Sequence, residues 1–173
     1  MISDHKTART LSRVGATAVL ALLAAGCSPP EHPLVAIGKG PDGDVRALLR
    51  PCSQDDHPRK VELFGSDEKD GKGDSTVLDY WSAQPPGSVT GEQEFSLFEL
   101  PKGWRDDAGS ATKLASGGDY SVSFVVGRGD TVRYKGRAIF TRADVEGLAP
   151  GQWWADGKAM SRAQFREQAD DAC

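Results

Sequence analysis

Residues 119–126, DYSVSFVV, place Tyr120, Val122, Phe124 and Val126 on one side of an extended chain and Ser121 and Ser123 on the other. A period of two fits a strand with one wet face and excludes a helix. The run TVRYKGRAIF follows across the turn-forming GRGD, so the two form a hairpin. A lone hairpin is marginal in water and must lay its apolar row against further structure. Other short strand-like runs are Val45–Arg50, Lys60–Phe64, Thr76–Trp81 and Glu94–Leu100, and nothing before residue 141 keeps a long 3.6-residue period. The end differs. Trp153–Trp154, the ADGK turn and Lys158–Met160 read as a tight hairpin. Ser161 with Gln164 then forms a capping box ahead of a short helix packing through Phe165 and Ala169. The expected fold is mainly β: an antiparallel β-sandwich of six or seven strands, with a β-hairpin and a short C-terminal helix.

The 173 residues, 38% hydrophobic and 27% charged, suit one globular domain with a short leader. Residues 1–27 hold three bases and one acid, which leaves 18 bases and 24 acids in the remainder, a net of −6. An acidic domain without a basic stripe speaks against nucleic-acid binding and against attraction to an anionic lipid surface.

Residues 1–13 are polar and basic; Val14–Ala25 is apolar or small apart from Thr17; Pro29, Pro30 and Pro33 follow. The apolar run is too short to span a bilayer and fits the central region of a signal peptide. Ala24-Ala25-Gly26-Cys27 resembles the lipobox of bacterial lipoproteins, with Ala24 where the usual Leu stands, three places before the cysteine, and Leu23 one place further out. The residue usage resembles small lipoproteins of high-GC actinobacteria. The resemblance implies that residues 1–26 are removed and that Cys27 carries acyl chains. The chain would then sit on the extracytoplasmic face of the cell membrane. Two or more chains hold a protein stably where one does not. Residues 27–40 are then the lipidated cysteine and a tether, and 41–173 a single β-rich domain. If Cys27 is lipidated, Cys52 and Cys173 remain as a pair for a disulfide; two free thiols are the alternative.

LASGGDYSVSF, with Leu114 six places before Tyr120, resembles the E–F corner of immunoglobulin-like and fibronectin type III sandwiches. The resemblance implies that Leu114 is in the core and that the Tyr120 hydroxyl bonds back to nearby backbone.

Motifs for chemistry are sparse. Arg128-Gly129-Asp130 matches an adhesive tripeptide and equally an ordinary turn. SDEKDGKGDS gathers Asp67, Glu68, Asp70 and Asp74 without the EF-hand order, so it reads as a solvated loop. His57 is the one histidine beyond the leader and tether, and Gly-x-Ser-x-Gly is absent. A His57-dependent hydrolase is therefore the least favoured function. Asp106-Asp107 and Asp170-Asp171 read as surface charge. No cofactor or metal is expected. Trp81, Trp104, Trp153 and Trp154 supply rings for packing or for a ligand. Adjacent Trp153 and Trp154 cannot both face the core of a strand. The expectation is a non-catalytic binding or scaffolding module at the envelope. The alternative is glycan or small-molecule capture through Trp104, Trp153 and Trp154.

Overall fold

The computed structural model describes residues 28–68, 75–109 and 111–173. The leader, Cys27, Asp70 and Asp74 lie outside the described residues. In chain order the strands are β1 (Glu31–His32), β2 (Val35–Lys39), β3 (Val45–Leu49), β4 (Pro58–Glu68), β5 (Ser75–Gln84), β6 (Gln93–Ser96), β7 (Arg105–Gly109), β8 (Asp119–Arg128) and β9 (Thr131–Thr141). Helix α1 (Arg142–Glu146), β10 (Gln152–Ala155), β11 (Lys158–Ser161) and helix α2 (Arg162–Asp171) complete them.

Two sheets form a sandwich. The larger runs β1-β9-β8-β4-β5-β7 and the smaller β11-β10-β2-β3-β6. Every pairing is antiparallel except β1 with β9. Alternation along β8 buries Tyr120, Val122, Phe124 and Val126, and register carries that face across the sheet in the row Trp81–Leu63–Val122–Ala138. The inner row of the smaller sheet is Ile37–Ala47–Phe95. The two sheets meet where Phe95 packs edge-on against Trp81, with ring centres 6.4 Å apart.

Helix α2 covers the outside of the smaller sheet. Its capping box forms, and its buried residues, Phe165 and Ala169, stand four apart on one face. The Arg162 guanidinium lies 5.8 Å from the Trp153 ring centre. Beneath it Trp153 pairs with Gly38 across β10 and β2. A Cβ on Gly38 would come within 2.7 Å of Trp153 Cε3, so the bare glycine seats the indole. The ADGK turn has Asp156 at φ 50° and Gly157 at φ 73°, the two positive values of a type I′ hairpin. Cys52 and Cys173 sit at disulfide distance, Cα atoms 5.4 Å apart, and fasten the end of α2 to the strand side.

Three expectations change. Residues 35–39, assigned to the tether, form β2 at the centre of the smaller sheet, with Val35, Ala36 and Ile37 fully buried. The strand is covered on both faces, so it reads as a continuous apolar run without alternation. Glu31 and His32 also pair, with Lys135 and Gly136. Arg105–Gly109 is a strand too, exposed throughout, and its charges are those of a protected sheet edge. Finally, Glu94–Leu100 is strand only as far as Ser96.

Candidate functional site

The sandwich has two seams. At one, β9 of the larger sheet approaches β10 of the smaller; at the other, Trp81 of β5 packs on Phe95 of β6. The first seam opens into a groove of about 650 Å³, whose lining includes Glu31, Asp119, Arg137, Ile139, Trp154 and Asp156. β1 pairs β9 only at Lys135 and Gly136, which leaves Arg137–Thr141 without a strand neighbour on that side. Side chains blunt this edge instead. The Trp154 indole N–H donates to the carbonyl of Ile139 at 2.9 Å, and Asp144 Oδ2 accepts from Thr141 N–H at 2.7 Å. Trp154 is thereby held half-buried, in a fixed orientation, in the wall of the groove.

The charges are uneven. Glu31, Asp119, Asp144 and Asp156 line the groove against Arg137 and His32. Arg137 sits 3.4 Å from Glu31, and Asp144 is engaged in the α1 capping box. The carboxylates of Asp119 and Asp156 have no hydrogen-bond or ion-pair partner among the described residues.

The three tryptophans nominated for a ligand are not brought together. Trp153 is buried under Arg162. Trp104 packs on Phe95 at the other seam, with ring centres 4.9 Å apart. Trp154 alone of the three reaches the groove. Its partners there come from β1, β8, β9, α1 and the β10–β11 turn. No local motif joins them, so only Trp154 was visible beforehand. His57 Nδ1 is 2.8 Å from the Val89 carbonyl, in a recess of about 410 Å³ that also contains Arg59, Lys60 and Asp130. No bond from its ring to a hydroxyl or carboxylate is present among the described residues. Gly129 and Asp130 form the β8–β9 turn.

Two polar networks brace the fold around these seams. Asp56, buried, accepts from Arg133 Nη1 and from the Tyr134 hydroxyl, each at 2.7 Å, while that hydroxyl accepts from Cys52 N–H at 2.9 Å. Burial first, and then the Asp56 carboxylate, push the Tyr134 phenol above its ordinary range. On the outer side of the smaller sheet, Glu92 accepts from Arg166 (2.6 and 2.9 Å), Arg162 (2.6 Å) and Arg50 (3.2 Å). The Arg166 hydrogen bond, joined by Arg162 and opposed by burial, holds Glu92 down at about 2. Arg50 also grips Asp170 of α2, at 2.7 and 3.0 Å.

At the remaining corner the Tyr120 hydroxyl accepts from Ala115 N–H at 2.6 Å and donates to Asp79 at 2.9 Å, with Leu114 buried. No helix among the described residues is long and apolar enough to cross a membrane. Comparison with protein-family models, curated sequences and solved structures returned no match.

Proposed function

We propose that the chain is a lipid-anchored, extracytoplasmic, non-catalytic binding module, and that its binding surface is the groove beside Trp154. The observation that carries this reading is the oriented Trp154 ring in a groove of about 650 Å³, a size ordinary for binding sites. The groove's rim includes Glu31, His32 and Pro33, which follow Cys27 closely in the chain. Four residues of extended chain reach roughly 14 Å. An acylated Cys27 would therefore keep the groove beside the membrane surface, where other anchored proteins are concentrated. A protein partner is favoured over a glycan because one tryptophan, rather than a pair of rings, faces the groove.

Two measurements test the two halves. Intact mass of the membrane-extracted protein is expected to show a species beginning at Cys27 with acyl mass. A lipid-free species overturns the anchor. With benzoylphenylalanine in place of Ile139, irradiation of intact expressing cells is expected to give discrete adducts, whereas the same group in place of Lys102 is not. Equal or absent adducts overturn the binding surface.

A further inference from the structure

Resting on that reading of the groove, we propose that its partner is a basic, extended protein segment. One cationic side chain of the segment lies against Trp154 between Asp119 and Asp156, and a neighbouring apolar side chain lies on Ile139. Three observations carry this. The first is charge. Of the groove's four carboxylates, Glu31 is matched by Arg137 and Asp144 is spent on Thr141, which leaves Asp119 and Asp156 unmatched. The His32 ring also faces the groove and packs edge-on against Tyr134, centroids 6.0 Å apart. The second is the ring itself. The Trp154 N–H is already donated, so what the indole offers a ligand is its π-face, which attracts cations.

The third observation separates a peptide from a lone amine. Ile139, 57% exposed, belongs both to the groove and to the outer face of the larger sheet. There the row Ile139–Ser121–Phe64–Tyr80 crosses four strands, roughly 14 Å at the usual strand spacing. The three large exposed apolar side chains among the described residues, Phe64, Val77 and Ile139, all stand on this face, Val77 through its pairing with Ser66. A free amine or a single headgroup fills the groove only; an extended chain with alternating cationic and apolar residues meets both surfaces. Strand addition along β9 is not the mode, because Trp154 and Asp144 already occupy that edge.

The test uses the full chain, purified from membranes in non-ionic detergent, and a fluorescent capped hexapeptide that alternates lysine and leucine. Saturable binding is expected, with none for the same peptide carrying glutamate for lysine. The D119N/D156N double variant is expected to weaken binding about tenfold, and I139S several-fold, with melting temperatures unchanged because these side chains are exposed and uncommitted. Unchanged affinity in both variants overturns the proposal. If n-butylamine competes as well as the peptide, and I139S has no effect, the site is one for small amines. Binding of phosphatidylethanolamine vesicles through Asp119 and Asp156 would assign the groove to lipid. Either result overturns the peptide. If no peptide binds while position 139 still cross-links in cells, this inference fails and the binding surface stands. If both are silent, both fail.

Discussion

Substituting Glu92→Gln isolates the charge clamp that holds α2 to the strands. Glu92 faces Arg50, Arg162 and Arg166, and its side chain is 14% exposed. The amide keeps the shape and loses the charge, so three guanidiniums remain around a neutral group. A shift from 4.5 to about 2 corresponds to roughly 3 kcal/mol at most, taking 1.36 kcal/mol per unit. Arg162 and Arg166 are 37% and 47% exposed, so solvent screens much of it. A net loss of about 1–2 kcal/mol is the reasoned value, or about 2–8 °C in melting temperature for a domain of this size.

The pH dependence carries the stronger test. The folded-state value lies below the unfolded one, so the ionised carboxylate stabilises the fold fully above about pH 4.5, and that stability is lost as pH falls through about 2. Urea unfolding of wild type and E92Q at pH 7, 4 and 2 therefore gives a gap that is full at pH 7 and has shrunk greatly by pH 2. Taking the difference between the two proteins removes the other carboxylates. Raising salt to 1 M at pH 7 narrows the gap as well. A gap that is absent at pH 7, or the same at pH 2, refutes the clamp.

Other perturbations probe different layers. Gly38→Val drives a side chain into the Trp153 indole and is expected to cost about 1–3 kcal/mol in chemical denaturation, more than the same change at the exposed Gly87, where a Cβ meets open space. Tyr134→Phe strips Cys52 N–H and the buried Asp56 of a partner, about 1–3 kcal/mol. Because the Tyr134 phenol is raised in the fold, wild type loses stability as pH climbs above 10, and the variant loses less. The double change Cys52→Ser with Cys173→Ser opens a 121-residue separation and is expected to cost about 2–4 kcal/mol, with amide exchange rising first along α2. Unaltered α2 exchange would show that the helix is held by its side-chain contacts without the disulfide.

The parts of the fold that were legible beforehand are those whose signal is local. β8 alternates because one of its faces is wet, the Asp156–Gly157 turn has the chemistry its backbone needs, and Ser161 with Gln164 marks the start of α2. Each answers to residues within a few positions of itself. β2 is the instructive failure. Its neighbours Pro29, Pro30 and Pro33 suggest a tether, and VAIG is too short and too uniformly apolar to show a period. Both of its faces are filled, one by the larger sheet and one by α2, and those coverings lie far along the chain. β7 fails for the opposite reason: an exposed edge strand carries charge where a buried one carries apolar side chains.

The same distinction decides the site. Trp153 and Trp154 face opposite ways, as neighbours in a strand must: Trp153 lies under α2 and Trp154 turns to the seam. What the neighbouring pair could not reveal was which ring stays reachable. That depends on Arg162 closing over one indole and on β1 ending two residues into its pairing with β9. Had β1 continued beside Arg137–Thr141, the edge would be paired and the groove closed. Pro33 lies just beyond the paired residues, and its missing N–H prevents it from donating to a further rung of the ladder. The proline cluster that disguised β2 as a tether thus coincides with the break that leaves the groove open.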